Sequence, residues 1–148
     1  VFRLHGFRDS MDVKNGGDNE VWSFGEDNYE IFKSLLFMRE RLRPYIKEHM
    51  KRAHETGIPV MKPVFFDFPK DPVCYDLDDQ LLFGPDIMAA PVTELGARSR
   101  NVYLPAGAQW TDAWTGRQYD GGQWLEADAP IERIPVYLKN GADLPVKE

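Results

Sequence analysis

A second cysteine is missing from this sequence. Cys74 stands alone, which excludes a disulfide within the chain and leaves the redox compartment open. Long apolar runs are missing too, and none approaches the roughly 20 residues needed to span a bilayer. A basic surplus is likewise absent: the net charge is −6. That argues against a nucleic-acid partner, because phosphate backbones are met by a basic face. The chain opens Val1-Phe2-Arg3-Leu4-His5-Gly6, without an initiator methionine or a signal-peptide pattern, and reads as a processed product or a piece of a longer chain.

What is present is ordinary for a globular domain, with 43% hydrophobic and 28% charged residues in 148. Aromatics stand out at 13%, with Trp22, Trp110, Trp114 and Trp124 among them. Aromatic faces stack on sugar rings and also fill β-sheet cores, and composition favours the core.

Residues 8 to 20 are rich in Asp, Asn, Ser and Gly and read as a loop. Ser23-Phe24-Gly25-Glu26 fits a capping box, with serine and glutamate satisfying opposite orphan amides at a helix start. Apolar residues then recur at Ile31, Leu35, Met38, Leu42, Ile46 and Met50, in steps of three or four that keep one face inward. Pro44 lacks the donor a helix interior needs, so the spacing predicts one long helix, kinked there, over about 25–56. Gly57 followed by Pro59 supplies the stop.

Beyond Gly57 the period becomes that of strands. Runs at 60–66, 87–92, 101–104, 109–114, 123–125 and 134–138 are separated by turn chemistry such as Thr115-Gly116 and Asp120-Gly121-Gly122. Their regular spacing predicts an all-β antiparallel sandwich or barrel.

Several stretches together resemble the C-terminal part of glycoside hydrolase family 31, whose members include α-glucosidases and α-xylosidases. They are Phe2-Arg3-Leu4-His5-Gly6, Trp22-Ser23-Phe24-Gly25, Arg39-Glu40-Arg41-Leu42-Arg43-Pro44-Tyr45 and His54-Glu55-Thr56-Gly57-Ile58-Pro59-Val60-Met61-Lys62-Pro63. Phe68-Pro69-Lys70-Asp71-Pro72, Asp79-Gln80-Leu81-Leu82-Phe83-Gly84-Pro85, Ala90-Pro91-Val92, Tyr103-Leu104-Pro105, Trp114-Thr115-Gly116 and Ile134-Pro135-Val136 follow in the same order. The resemblance implies an α+β fragment. Residues 1–57 would be the last loop and helix of a (β/α)8 barrel, and 58–148 an all-β antiparallel sandwich, the proximal C-terminal domain.

The resemblance also implies the chemistry. Members are similar in using two aspartates, one attacking the anomeric carbon and one protonating the leaving oxygen, with carboxyl groups about 5 to 5.5 Å apart. Both belong to earlier barrel strands, and no segment here matches either. No catalytic residue is therefore assigned to this chain, and the chain alone is expected to be inactive. His5 is the best site residue: in the family its counterpart faces the sugar, where a bond that strengthens in the transition state speeds the reaction. Arg3 is grouped with it as substrate-binding, and would either orient a catalytic carboxylate or pair with a barrel aspartate as scaffold. The expected partners are an oligosaccharide or glycoside substrate and the remainder of the barrel, with self-association open, and no cofactor, metal, nucleic acid or membrane. The Arg-Leu-His-Gly wording leans toward the α-xylosidase branch. The alternative is a non-catalytic carbohydrate-binding or structural β-module.

Other residues draw blander readings. Trp22 reads as packing at a helix entrance, with a place in the substrate cleft as the lesser alternative, and Trp110, Trp114 and Trp124 as packing the sandwich or its turns. His49 and His54 read as exposed or capping. Asp76, Asp78 and Asp79 read as a solvated acidic loop, with metal binding as the leftover possibility. Cys74, without a neighbouring histidine, is no nucleophile.

Overall fold

The structure, a computed structural model, describes residues 20–147. Val21–Phe24 forms a single 3-10 turn, and two helices follow, α1 (Glu26–Arg41) and α2 (Arg43–Thr56). The capping box expected at Ser23 does not form. Gly25, at φ +87°, takes the cap position and turns the chain, leaving Ser23 too early to reach the first free amides of α1. The Ser23 hydroxyl donates instead to Glu20 Oε2 at 3.3 Å. Glu26 and Asp27 still place negative charge at the positive end of α1.

The single kinked helix expected over 25–56 is two helices that meet at Leu42. Pro44 is the reason: it falls at the start of α2, where its missing N–H costs nothing, and its ring bars continuation from α1. Gly57 ends α2 as expected, at φ +74° with its N–H on Ala53 O at 2.9 Å.

Eight short strands follow: β1 (Met61–Pro63), β2 (Leu81–Phe83), β3 (Ile87–Ala89), β4 (Ser99–Leu104), β5 (Gln109–Asp112), β6 (Gln118–Asp120), β7 (Gln123–Asp128) and β8 (Val136–Lys139). Six pair antiparallel in the order β1-β2-β3-β8-β5-β6, while β4 and β7 make a separate two-stranded ribbon. Two strands, β2 and β6, fall outside the predicted runs. The run at 60–66 is cut short because Pro63 cannot donate to a ladder, and Val64–Phe66 turns into a 3-10 helix.

Register divides the core. Leu82, Met88 and Tyr137 are cross-strand partners on one face of the six-stranded sheet, where they meet Val102 and Leu104 of the ribbon, with Trp110. Phe83, Ile87 and Leu138 are partners on the other face, where they meet Tyr45, Leu42 and Ile46 of the helical segment. The domain is therefore layered as helices, six-stranded sheet and ribbon. Each fully buried Leu or Met contributes about 1.5–3 kcal/mol of apolar burial to that arrangement. Among the described residues no helix is long and apolar enough to cross a membrane.

Candidate functional site

His5 and Arg3, the two residues singled out as sugar-binding, lie outside the described residues, as does most of the loop at 8–20. The described part shows what that segment leads into. Helix α1 carries Ile31, Phe32, Leu35, Leu36, Phe37 and Met38, yet none of its 16 residues is buried. Phe37 is 56% exposed, and Trp22, expected to pack at the helix entrance, is 69% exposed. Between α1 and the sheet lies an apolar groove of about 230 Å³, bordered by Leu35, Met38, Ile46, Trp114, Ile131 and Ile134.

Helix α2 is docked far more firmly. The Tyr45 hydroxyl donates to Phe83 O at 3.0 Å and accepts from Asp86 N at 3.2 Å, stapling the helix to the turn between β2 and β3. Burial pushes its phenol well above the ordinary tyrosine range. Gly84 lies directly beneath that hydroxyl, where a Cβ would collide with it. His49, expected on a solvated or capping face, is instead 9% exposed, its ring edge-on to Tyr45 with centroids 4.3 Å apart. It lies one turn beyond Tyr45 on the docked face, which the apolar pattern alone did not include. His54 is exposed, as expected.

The buried carboxylate and carboxamide, Asp71 and Gln80, serve the scaffold. Asp71 accepts from Val73 N at 3.2 Å, from the Tyr103 hydroxyl at 2.9 Å and from Ala106 N at 2.8 Å. It thus ties the 3-10 helix Pro72–Tyr75 to β4 and the loop after it. Its signal in the sequence was an aspartate immediately before a proline, a helix-cap pattern. Gln80 grips the edge of β4 through two 2.8 Å bonds, to Tyr103 O and from Tyr103 N, as a further strand would. Asp67 holds Lys62 at 2.6 Å, with Lys139 at 4.0 Å. Both ammonium groups also lie over aromatic rings, Lys62 over Phe66 and Lys139 over Phe68.

In the acidic loop, Asp79 is tied to Arg100 at 2.5 Å. Among the described residues no group of three or more His, Cys, Asp or Glu is placed to hold a metal ion. Cys74 is buried in the core, and burial, followed by the neighbouring Asp71, pushes its thiol up to about 12. A thiol so poorly ionised is a poor nucleophile. Trp110 is sealed in the core with its indole N–H on Pro105 O at 3.0 Å, and Trp114 packs on the turns with its N–H on Ile134 O at 2.7 Å. Trp124, expected to pack likewise, is 55% exposed.

Residues 57–143 match the model of the glycosyl hydrolase family 31 C-terminal domain. The chain is 37% identical over 123 residues to alpha-glucosidase 2 of Bacillus thermoamyloliquefaciens, covering 83% of this chain and 16% of that protein. It is 34% identical over 127 residues to the alpha-xylosidase of Saccharolobus solfataricus, covering 86% of this chain and 17% of that protein. Among solved structures, a family 31 alpha-xylosidase from a soil metagenome, complexed with xylose, superposes with a TM-score of 0.85. It shares 50% identity, over 94% of this chain and 21% of its own. The chain therefore spans only about a fifth, or less, of the length of these relatives.

Proposed function

The chain belongs to glycoside hydrolase family 31, and we propose that it is the C-terminal portion of a retaining, exo-acting α-glycosidase that removes terminal α-linked xylose or glucose. In this reading both catalytic aspartates lie upstream, in barrel strands this chain does not include, and hydrolysis proceeds by double displacement. Residues 1–57 complete the barrel, and 58–148 form the proximal C-terminal β-domain. His5 and Arg3 reach the sugar from the loop that precedes α1.

The observation that carries this reading is the match to the xylose-bound α-xylosidase, at 50% identity across 94% of this chain. The apolar stripe of α1, half-buried with Phe37 exposed, agrees with it. A helix with six apolar residues in a row of eight positions and no buried side chain calls for a covering layer, and a barrel would supply one. Helix α2, by contrast, is anchored by Tyr45, so the β-domain would hold the end of the barrel through one fixed joint.

The β-domain brings no catalytic residue in this reading. Its role in this reading is mechanical. It buttresses the last barrel helix, and with it the loop that carries His5. The full-length enzyme should turn over p-nitrophenyl α-xyloside or α-glucoside, and the purified 148-residue chain should turn over neither. Robust hydrolysis by the isolated chain would overturn the assignment.

A further inference from the structure

The two-stranded ribbon presents a second surface with chemistry of its own. Ser99 faces Asp128, Asn101 faces Glu126 and Tyr103 faces Trp124 in the register of β4 and β7. Alternation puts these six side chains on one side of the ribbon, while Val102 and Leu104 turn into the core. The Trp124 ring leans on the buried Tyr103 ring, with centroids 5.2 Å apart, and Tyr103 is itself pinned by Asp71. Trp124 is thus a fixed plate, yet it remains 55% exposed.

Beside it is an open depression of about 380 Å³, bordered by Thr93, Glu94, Asn101, Trp124 and Glu126. Its polar groups are placed and unspent. The Asn101 carboxamide and the Trp124 indole N–H hydrogen-bond to no other described residue. Glu126 accepts from the Ser99 hydroxyl at 3.0 Å through one oxygen and keeps the other. Asp79, at the edge, is neutralised by Arg100.

We propose that this face of the ribbon is a non-catalytic binding site for a neutral oligosaccharide or polysaccharide chain, with Trp124 as its stacking platform and Asn101 and Glu126 as its hydroxyl-recognising groups. Three observations select that ligand. The rigid aromatic plate suits the C–H face of a sugar ring, and a plate already fixed costs little entropy on binding. Carboxylates at Glu94, Glu126 and Asp128 disfavour anionic ligands such as nucleic acid and accept from hydroxyls. A lone aromatic ringed by carboxylates and a carboxamide is also unlike the apolar centre of a protein interface. The ribbon lies on the far side of the six-stranded sheet from α1 and α2, so a chain held there leaves the helical face free for the rest of the enzyme. This site would be separate from the one that hydrolyses glycosides, and its test does not depend on that activity.

The test is native gel electrophoresis of the full-length protein in gels carrying dextran, soluble starch or xyloglucan. Wild type should be retarded in at least one of the three. Trp124→Ala should weaken that affinity about tenfold, Asn101→Ala should weaken it less, and Trp124→Phe should keep most of it. Turnover of p-nitrophenyl glycosides by these variants should match wild type. No retardation of wild type in any gel, or undiminished retardation of Trp124→Ala, overturns the proposal. If Trp124→Ala lowers the Tm, Asn101→Ala at wild-type Tm decides: weaker retardation supports the site, and unchanged retardation overturns it.

Discussion

Tyr45 and Gly84 are a matched pair: the hydroxyl that staples α2 to the sheet occupies the space a side chain at position 84 would need. Gly84 also sits at φ +64°, a backbone region that other residues enter at a cost. The contact works because position 84 has no Cβ, and the turn between β2 and β3 can then offer both Phe83 O and Asp86 N to one phenol.

Tyr45→Phe should destabilise the domain by about 1 to 3 kcal/mol, since it strands one buried acceptor and one donor. Gly84→Ala should cost at least about 2 kcal/mol from backbone strain and overpacking. The double variant should be less destabilised than the sum, because Gly84→Ala already displaces the hydroxyl. Denaturant midpoints of the four proteins check this, and strict additivity would show that the two residues act independently.

Asp71→Asn should lower stability by about 1 to 2 kcal/mol although it changes no volume. One carboxylate oxygen accepts from Val73 N, and the other accepts from both the Tyr103 hydroxyl and Ala106 N. Either orientation of a carboxamide points its NH2 at a backbone N–H that has no other acceptor there. Thermal unfolding of the variant measures the loss, and a Tm equal to wild type would mean the loop after β4 relaxes freely.

Alkaline pH should loosen the same region. Burial, and then Asp71, push the Cys74 thiol from 9.0 and the Tyr103 phenol from 10.0 up to about 12 each. Both groups hold a proton more tightly folded than unfolded. Their contribution is therefore intact below pH 9 and is lost as pH rises toward 12. Denaturation midpoints should fall across that window, and less steeply in Cys74→Ala. Iodoacetamide at neutral pH should label Cys74 only after unfolding; rapid native labelling would contradict its burial.

His5→Ala in the full-length enzyme should reduce transition-state binding by about 1 to 3 kcal/mol, roughly fivefold to 150-fold in kcat/KM. An unchanged specificity constant would remove His5 from the sugar site.

Much of the architecture was legible in the sequence because it rests on local chemistry. Gly57 before Pro59 ends a helix whatever surrounds it, and the strand runs past residue 80 fall close to β3, β4, β5, β7 and β8. Strands β2 and β6 fall outside the predicted runs because, unlike β1 and β3, they are not extended by neighbouring apolar residues, and pairing with other strands decides them. The candidate sugar residues His5 and Arg3 were legible only through family motifs, since a lone histidine or arginine carries no local signal.

The sequence by itself determined that the chain has no internal disulfide, that a helical segment gives way to β-structure at Gly57, and which family its motifs resemble. Only the tertiary structure decided the fates of like residues. Trp110 is sealed in the core while Trp124 stands open on the ribbon, and His49 is buried while His54 is exposed. The reason is register. A strand residue's parity, or a helix residue's angle, fixes which side it takes, but what lies on that side is set by elements distant in the chain.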